Sequence, residues 1–132
     1  MTRLSYKEAK ALGLIPESKS KYNNHKSKYY DPDLKELITF DSNRERDYYL
    51  ILKDRLKKGE ISHLQRQVTI CIQPKFVTPT GETIQAITYI ADFVYLDSEG
   101  VNHIVDVKGF KTDVYRLKKK LLAFRGFYIE EV

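Results

Sequence analysis

Apolar and polar positions alternate with two different periods along this chain, and the switches between them mark out its elements. Tyr49, Leu52 and Leu56 recur at spacings of three and four, which predicts a helix over residues 42–58 with those side chains inward. Residues 65–76 and 84–96 are rich in β-branched and aromatic side chains, and residues 101–108 alternate, so three strands are expected there. A second helix is expected over residues 112–125, capped near Thr112 and turning Val114, Leu117 and Leu121 inward, with a last strand over 127–130. Upstream, residues 5–14 suggest a short helix stopped by Gly13 and Pro16, and residues 17–31 are polar. The expected fold class is α/β, with an arm over residues 1–32 and a domain over 33–132.

The turn between the second and third strands sets their register. Asp97-Ser98-Glu99-Gly100 suits a three-residue loop whose last residue, Gly100, adopts the left-handed conformation that costs glycine nothing. Such a loop pairs Asp97 with Val101, and counting outward it sets Asp92 opposite Asp106. Lys108, two positions beyond, falls on the same face. Facing like charges destabilise a sheet, and Asp92 lies inside the apolar run Tyr89-Ile90-Ala91-Asp92-Phe93-Val94-Tyr95, so these carboxylates need a cation between them. Two acids and an ammonium at a hairpin are what a divalent-metal phosphodiesterase requires: carboxylates hold the cation and the lysine offsets charge on the phosphate. An isolated aspartate near a strand end is more often a solvated edge residue; the pairing is what favours the metal.

Glu45 supplies a third acid. It precedes Tyr49 by four residues and so lies on the inward stripe of the first helix. Ser42-Asn43-Arg44-Glu45 also reads as a capping box, in which Glu45 reaches back to the Ser42 N–H. Taken alone the cap is the more common reading; with Asp92 and Asp106 in the same chain, Glu45 is expected to be the third acid of the site.

Glu45 on a helix, Ala91-Asp92 on a strand and Asp106-Val107-Lys108 on the next resemble the PD-(D/E)XK nuclease signature. The likeness extends to Lys21-Tyr22-Asn23-Asn24, Phe40-Asp41-Ser42, Gly59-Glu60-Ile61, Gln67, Tyr89-Ile90-Ala91-Asp92-Phe93, Asp106-Val107-Lys108-Gly109, Thr112, Tyr115 and Leu117-Lys118-Lys119-Lys120. As an ordered set these blocks resemble a family of small phage and prophage proteins grouped with that superfamily. The resemblance implies a restriction-endonuclease-like core of a helix, a three-stranded meander, a helix and a strand. It further implies that Asp92 and Asp106 bind Mg²⁺ or Mn²⁺ with the carbonyl of Val107, that Lys108 positions or activates water, and that Glu45 orients water or helps hold the metal. Gln67 would contact metal-bound water or DNA, although a strand glutamine is more often a surface hydrogen-bonding residue. The motif's proline is Ala91 here, and its second acid is Asp106 rather than glutamate.

Composition and charge fit a nucleic-acid partner. The 132 residues are 42% hydrophobic and 31% charged, enough for one domain, and the net charge is +5. Between Lys108 and Arg125 seven lysines and arginines face a single acid, Asp113. Lys111, Lys118 and Lys119, with Thr112 and Tyr115, are placed to meet DNA beside the hairpin; a solvated helix face is the plain alternative. Lys21, Lys26 and Lys28 with the tyrosines of the arm could track a backbone, and a tail or an arm exchanged in a dimer fits as well.

No run approaches a membrane span and no apolar signal core is present, so a cytoplasmic protein is expected, in the host cytoplasm if phage-encoded. The lone Cys71 forms no intrachain disulfide and is expected to be buried; with His25, His63 and His103 it gives no zinc spacing. No glycine-rich phosphate loop supports nucleotide hydrolysis. The expected activity is metal-dependent DNA cleavage, structure-selective and directed at branched or duplex DNA as in a Holliday-junction resolvase, by a homodimer. A DNA-binding module with a vestigial site is the alternative. A sequence-specific restriction enzyme is disfavoured, because so short a chain leaves little room for a recognition domain.

Overall fold

An aspartate that caps its own turn organises the first described element. The computed structural model describes residues 26–132, in two units, one ending at Asn43 and the other Arg44–Val132. In the first, β1 (Ser27–Asp31) pairs antiparallel with β2 (Glu36–Phe40), Ser27 opposite Phe40 and Asp31 opposite Glu36. The Asp31 carboxylate accepts the N–H groups of Asp33 at 2.9 Å and Leu34 at 3.3 Å, an Asx-type turn that Lys35 completes at φ 55°. The sequence boundary at 32/33 falls inside this turn, so the end of the expected polar arm is a strand. Ser-Lys-Tyr-Tyr-Asp has no alternation to announce it. The expected helix over 5–14 and Lys21 lie outside the described residues.

In the second unit the period switches predict the element order well. It runs α1 (Asn43–Lys57), β3 (Ile61–Gln73), β4 (Phe76–Val77), β5 (Thr83–Ile84), β6 (Ile87–Asp97), β7 (Asn102–Asp106), α2 (Asp113–Phe124) and β8 (Ile129–Glu131). Four strands form a mixed sheet in the order β3-β6-β7-β8, antiparallel except for the parallel pair β7/β8. Parallel neighbours need a crossover, and α2 provides it. The fold of this unit is therefore mixed α/β. β4 and β5 form a separate short ribbon between β3 and β6, so Phe76 and Ile84, expected to extend those strands, turn back on one another. The third meander strand ends at Asp106 rather than Lys108.

Aromatic rings join α1 to the sheet: Tyr49 stacks on Phe93 with centroids 6.0 Å apart, and Leu52 is fully buried. A further core cluster gathers Ile72, Tyr89, Ala91, Ile104, Tyr115, Leu122 and Ile129, each large apolar side chain contributing about 1.5–3 kcal/mol on burial. Tyr115 and Leu122 are the buried face of α2, whereas Val114, Leu117 and Leu121 are 62%, 58% and 37% exposed. The expected inward stripe is thus corrected. α2 is apolar on two faces, and spacing alone could not choose between them; Tyr115, anchored next to the Thr112 cap, turns inward to Tyr89 at 6.2 Å. Cys71, expected to be buried, is exposed, because β3 is an edge strand whose Thr69 and Cys71 face outward while Ile72 faces the core. Among the described residues no helix is long and apolar enough to cross a membrane.

Candidate active site

Four side chains line up across the four strands. At the β6–β7 turn the Asp97 N–H donates to the Val101 carbonyl at 3.0 Å and the Gly100 N–H to the Asp97 carbonyl at 3.0 Å, with Gly100 at φ 79°. A side chain at Gly100 would strain that turn. The register continues through Tyr95↔His103 to Phe93↔Val105, and its next step places Asp92 opposite Asp106, as the loop length predicts. On the other edge of β6, the pairs Arg66↔Phe93 and Val68↔Ala91 bracket Gln67 and set it opposite Asp92. Across β7, Asp106 is in register with Glu131 of β8. Gln67, Asp92, Asp106 and Glu131 therefore form one row.

Hydrogen bonds knit this row to its surroundings. The Gln67 Nε2 donates to Glu45 Oε1 at 3.2 Å and lies 3.5 Å from Asp92 Oδ1, so the glutamine bridges α1 and β6. Gln67 holds φ 51° in mid-strand, a left-handed conformation that costs a non-glycine residue about 1–3 kcal/mol and is retained where the surroundings dictate it. Glu45 is 4% exposed, pointing inward as the stripe predicts. Asp92 Oδ2 accepts the Val107 N–H at 2.8 Å, which explains why regular pairing stops here. Asp106, 3% exposed, accepts the Tyr89 hydroxyl and lies 3.5 Å from Lys108 Nζ. Lys108 Nζ also sits 4.3 Å over the Tyr115 ring, and its carbonyl accepts from Arg44 at 3.3 Å. The sequence thus brings Glu45, Gln67, Asp92, Asp106 and Lys108 together.

Charge accumulates in this cluster. Burial pushes the Asp92 carboxyl up to about 7; the Val107 N–H opposes that shift, while the charges of Glu45 and Asp106 and a hydrogen bond with Asp106 add to it. Burial and then the Asp106 hydrogen bond likewise raise the Tyr89 hydroxyl. Among the described residues no three His, Cys, Asp or Glu side chains form a ready-made metal cage. The Gln67 amide joins Glu45 to Asp92, and the charge of Glu45 acts on Asp92. The donors gathered here are the Asp92 and Asp106 carboxylates, Glu45 beside them, and the main-chain oxygens nearby. All are hard oxygen donors, which suit Mg²⁺ or Mn²⁺, ions that keep several waters and need only one or two protein carboxylates.

The residues expected to meet DNA are distributed differently. Lys111 and Lys119 both pair with Glu131, at 3.4 Å and 2.6 Å, and the Tyr115 hydroxyl donates to the same carboxylate at 3.0 Å. Thr112 is the α2 cap, its Oγ1 accepting the Tyr115 N–H at 3.0 Å. Lys118 is partly exposed on α2, and Lys26 and Lys28 are exposed in the hairpin unit. Sequence reading missed Tyr89, Glu131 and Arg44, because each reaches the site through a contact remote in the chain.

The chain belongs to the family described as a protein of unknown function (DUF1064), whose model matches residues 19–131. No curated protein and no solved structure matches it.

Proposed function

We propose that the protein is a metal-dependent endodeoxyribonuclease built on a PD-(D/E)XK type of core. The observation that carries this reading is the row in which Asp92 meets Asp106, with Lys108 at 3.5 Å from Asp106 and Glu45 joined to the row through Gln67. The order of helix, three antiparallel strands, helix and parallel strand supports it. Asp92, Asp106 and the Val107 carbonyl would hold Mg²⁺ or Mn²⁺, with Glu45 assisting. When bound, such an ion acts as a Lewis acid on a phosphoryl oxygen and lowers the pKa of water.

The chain's own residues do the rest. Lys108 places an ammonium where charge develops on the phosphate, steadied by the Tyr115 ring. Tyr89 fixes the Asp106 carboxylate from behind, and Gln67 holds Glu45 toward Asp92. The basic residues of α2 and the loop before it meet the backbone. One site on so small a chain makes paired cuts only as a homodimer, which favours branched DNA of the four-way-junction kind.

A second reading is a DNA-binding module with a vestigial site. It is favoured by the internal partners both acids already have, Val107 N–H for Asp92 and Tyr89 hydroxyl for Asp106. Incubation with linear, nicked, flapped and four-way DNA in Mn²⁺ separates the two. The nuclease reading expects cleavage, fastest on branched substrates; tight binding that leaves every substrate intact would replace it with the second.

A further inference from the structure

Three side-chain donors converge on Glu131 at the border of the site. Its Oε1 takes Lys119 Nζ at 2.6 Å, and its Oε2 takes the Tyr115 hydroxyl at 3.0 Å and Lys111 Nζ at 3.4 Å. Tyr115 and Lys119 are one turn apart on α2, and Lys111 lies just before its cap. The Tyr115 ring beneath this carboxylate carries Lys108 on its face, so the cluster is continuous with the row of Asp92 and Asp106. The lysine side chains are 46% and 37% exposed against 22% for Glu131, so the ammonium groups are open to solvent on the side away from the acid. An ammonium has three donors, and each of these uses one on Glu131. Exposed ion pairs add little to stability, so stability alone gives a poor account of three donors converging on one carboxylate.

We propose that Glu131 is a positioning residue: it fixes Lys111, Lys119 and the Tyr115 hydroxyl as one edge that receives a backbone phosphate flanking the phosphate that is cut. The inference rests on the nuclease reading for its meaning in catalysis, but its phosphate contact stands on the geometry of the cluster. Glu131 spaces the two ammonium groups and lowers their net charge, so the strand is held in place rather than only attracted.

Glu131→Gln tests this, since the amide oxygen still accepts from Tyr115 while the charge is removed. The salt dependence of affinity for a duplex oligonucleotide is measured for both proteins, together with kcat and KM in Mn²⁺. The expected result is a salt slope steeper by about one counterion, from the lost compensating charge, and a kcat lower by about tenfold with KM unchanged or reduced. If the variant does not fold, Lys119→Met reads the same edge, with a slope flatter by about one and a lower kcat. An unchanged slope overturns the proposal whatever happens to cleavage, and so does an unchanged kcat in a protein that cuts DNA. A changed slope in a protein that never cuts DNA keeps the phosphate edge and removes the nuclease reading.

Discussion

Gln67 donates its side-chain amide to Glu45 at 3.2 Å from a backbone held at φ 51° in the middle of β3. In an ordinary strand alanine is preferred to glycine. Here the order should invert: Gln67→Gly is expected to be more stable than Gln67→Ala by about 1 kcal/mol, because only glycine occupies this conformation without strain. The alanine variant, which keeps the strain, should fall below the wild type by about 1–2 kcal/mol from the lost hydrogen bond to a carboxylate. Urea unfolding of the three proteins measures this, and an alanine variant more stable than the glycine variant would remove the strain argument.

Asp92 faces Asp106 and feels Glu45, and burial leads the rise of its carboxyl to about 7 from an ordinary value of 3.8. A native pKa above the unfolded one gives stability that is complete below about 4 and is lost as pH rises through about 7. Without metal, the melting temperature should therefore decline between about pH 4 and pH 7. Asp92→Asn keeps an oxygen for the Val107 N–H and should flatten that decline, melting higher than wild type at pH 8. A variant that melts lower at pH 8 would count against a crowded carboxylate site.

His103 is bracketed by Asp97 at 2.8 Å and by Glu130, and stacks on Tyr95 at 4.9 Å. The Asp97 hydrogen bond raises the imidazole above its ordinary 6.5, burial opposes, and Glu130 adds to the rise; the same hydrogen bond lowers Asp97 below 3.8. The His103 contribution is complete below 6.5 and lost as pH rises through the raised value, while that of Asp97 is lost as pH falls below 3.8. Stability from this pair is greatest between those limits. His103→Phe keeps the stacking and should remove the loss above the upper limit, as melting curves across pH would show.

The two apolar faces of α2 differ in consequence. Leu122→Ala empties a fully buried position and is expected to cost about 2–5 kcal/mol. Leu117→Gln, at a position 58% exposed, should change the stability of the monomer by less than about 0.5 kcal/mol. Chemical denaturation of both at low protein concentration decides it, and a large loss at Leu117 would reinstate the inward stripe.

Much of this site could be read from local rules. The hairpin register followed from a loop of fixed length closed by Gly100, and a register with period two carries Asp92 to Asp106 without further information. Glu45 followed from helical spacing to Tyr49. The limits have equally physical causes. The left-handed turn of Gln67 is imposed by partners on α1 and β6, which no local propensity encodes. Tyr89 and Glu131 meet Asp106 and α2 through pairings that closing the fold creates. α2 carried two apolar stripes and so two self-consistent faces, and the one occupied was settled by the surface offered by Tyr89 and Ile129. β1 has neither period, and only the Asp31 turn could have signalled a hairpin.

The most direct test of a metal-dependent nuclease site at Asp92, Asp106 and Lys108 is cleavage of a labelled four-way junction in Mn²⁺ by the wild type and by Asp106→Asn, with DNA affinity measured alongside in the absence of metal. Both carboxylate oxygens of Asp106 already serve neighbours, Tyr89 and Lys108, and the amide preserves its shape. The account predicts that the wild type cuts, that chelation of the metal stops it, and that the variant binds with similar affinity but cuts at least about a hundredfold more slowly, a barrier higher by roughly 2.7 kcal/mol. Cleavage by the variant at the wild-type rate, or cleavage by the wild type that persists in chelator, would contradict it.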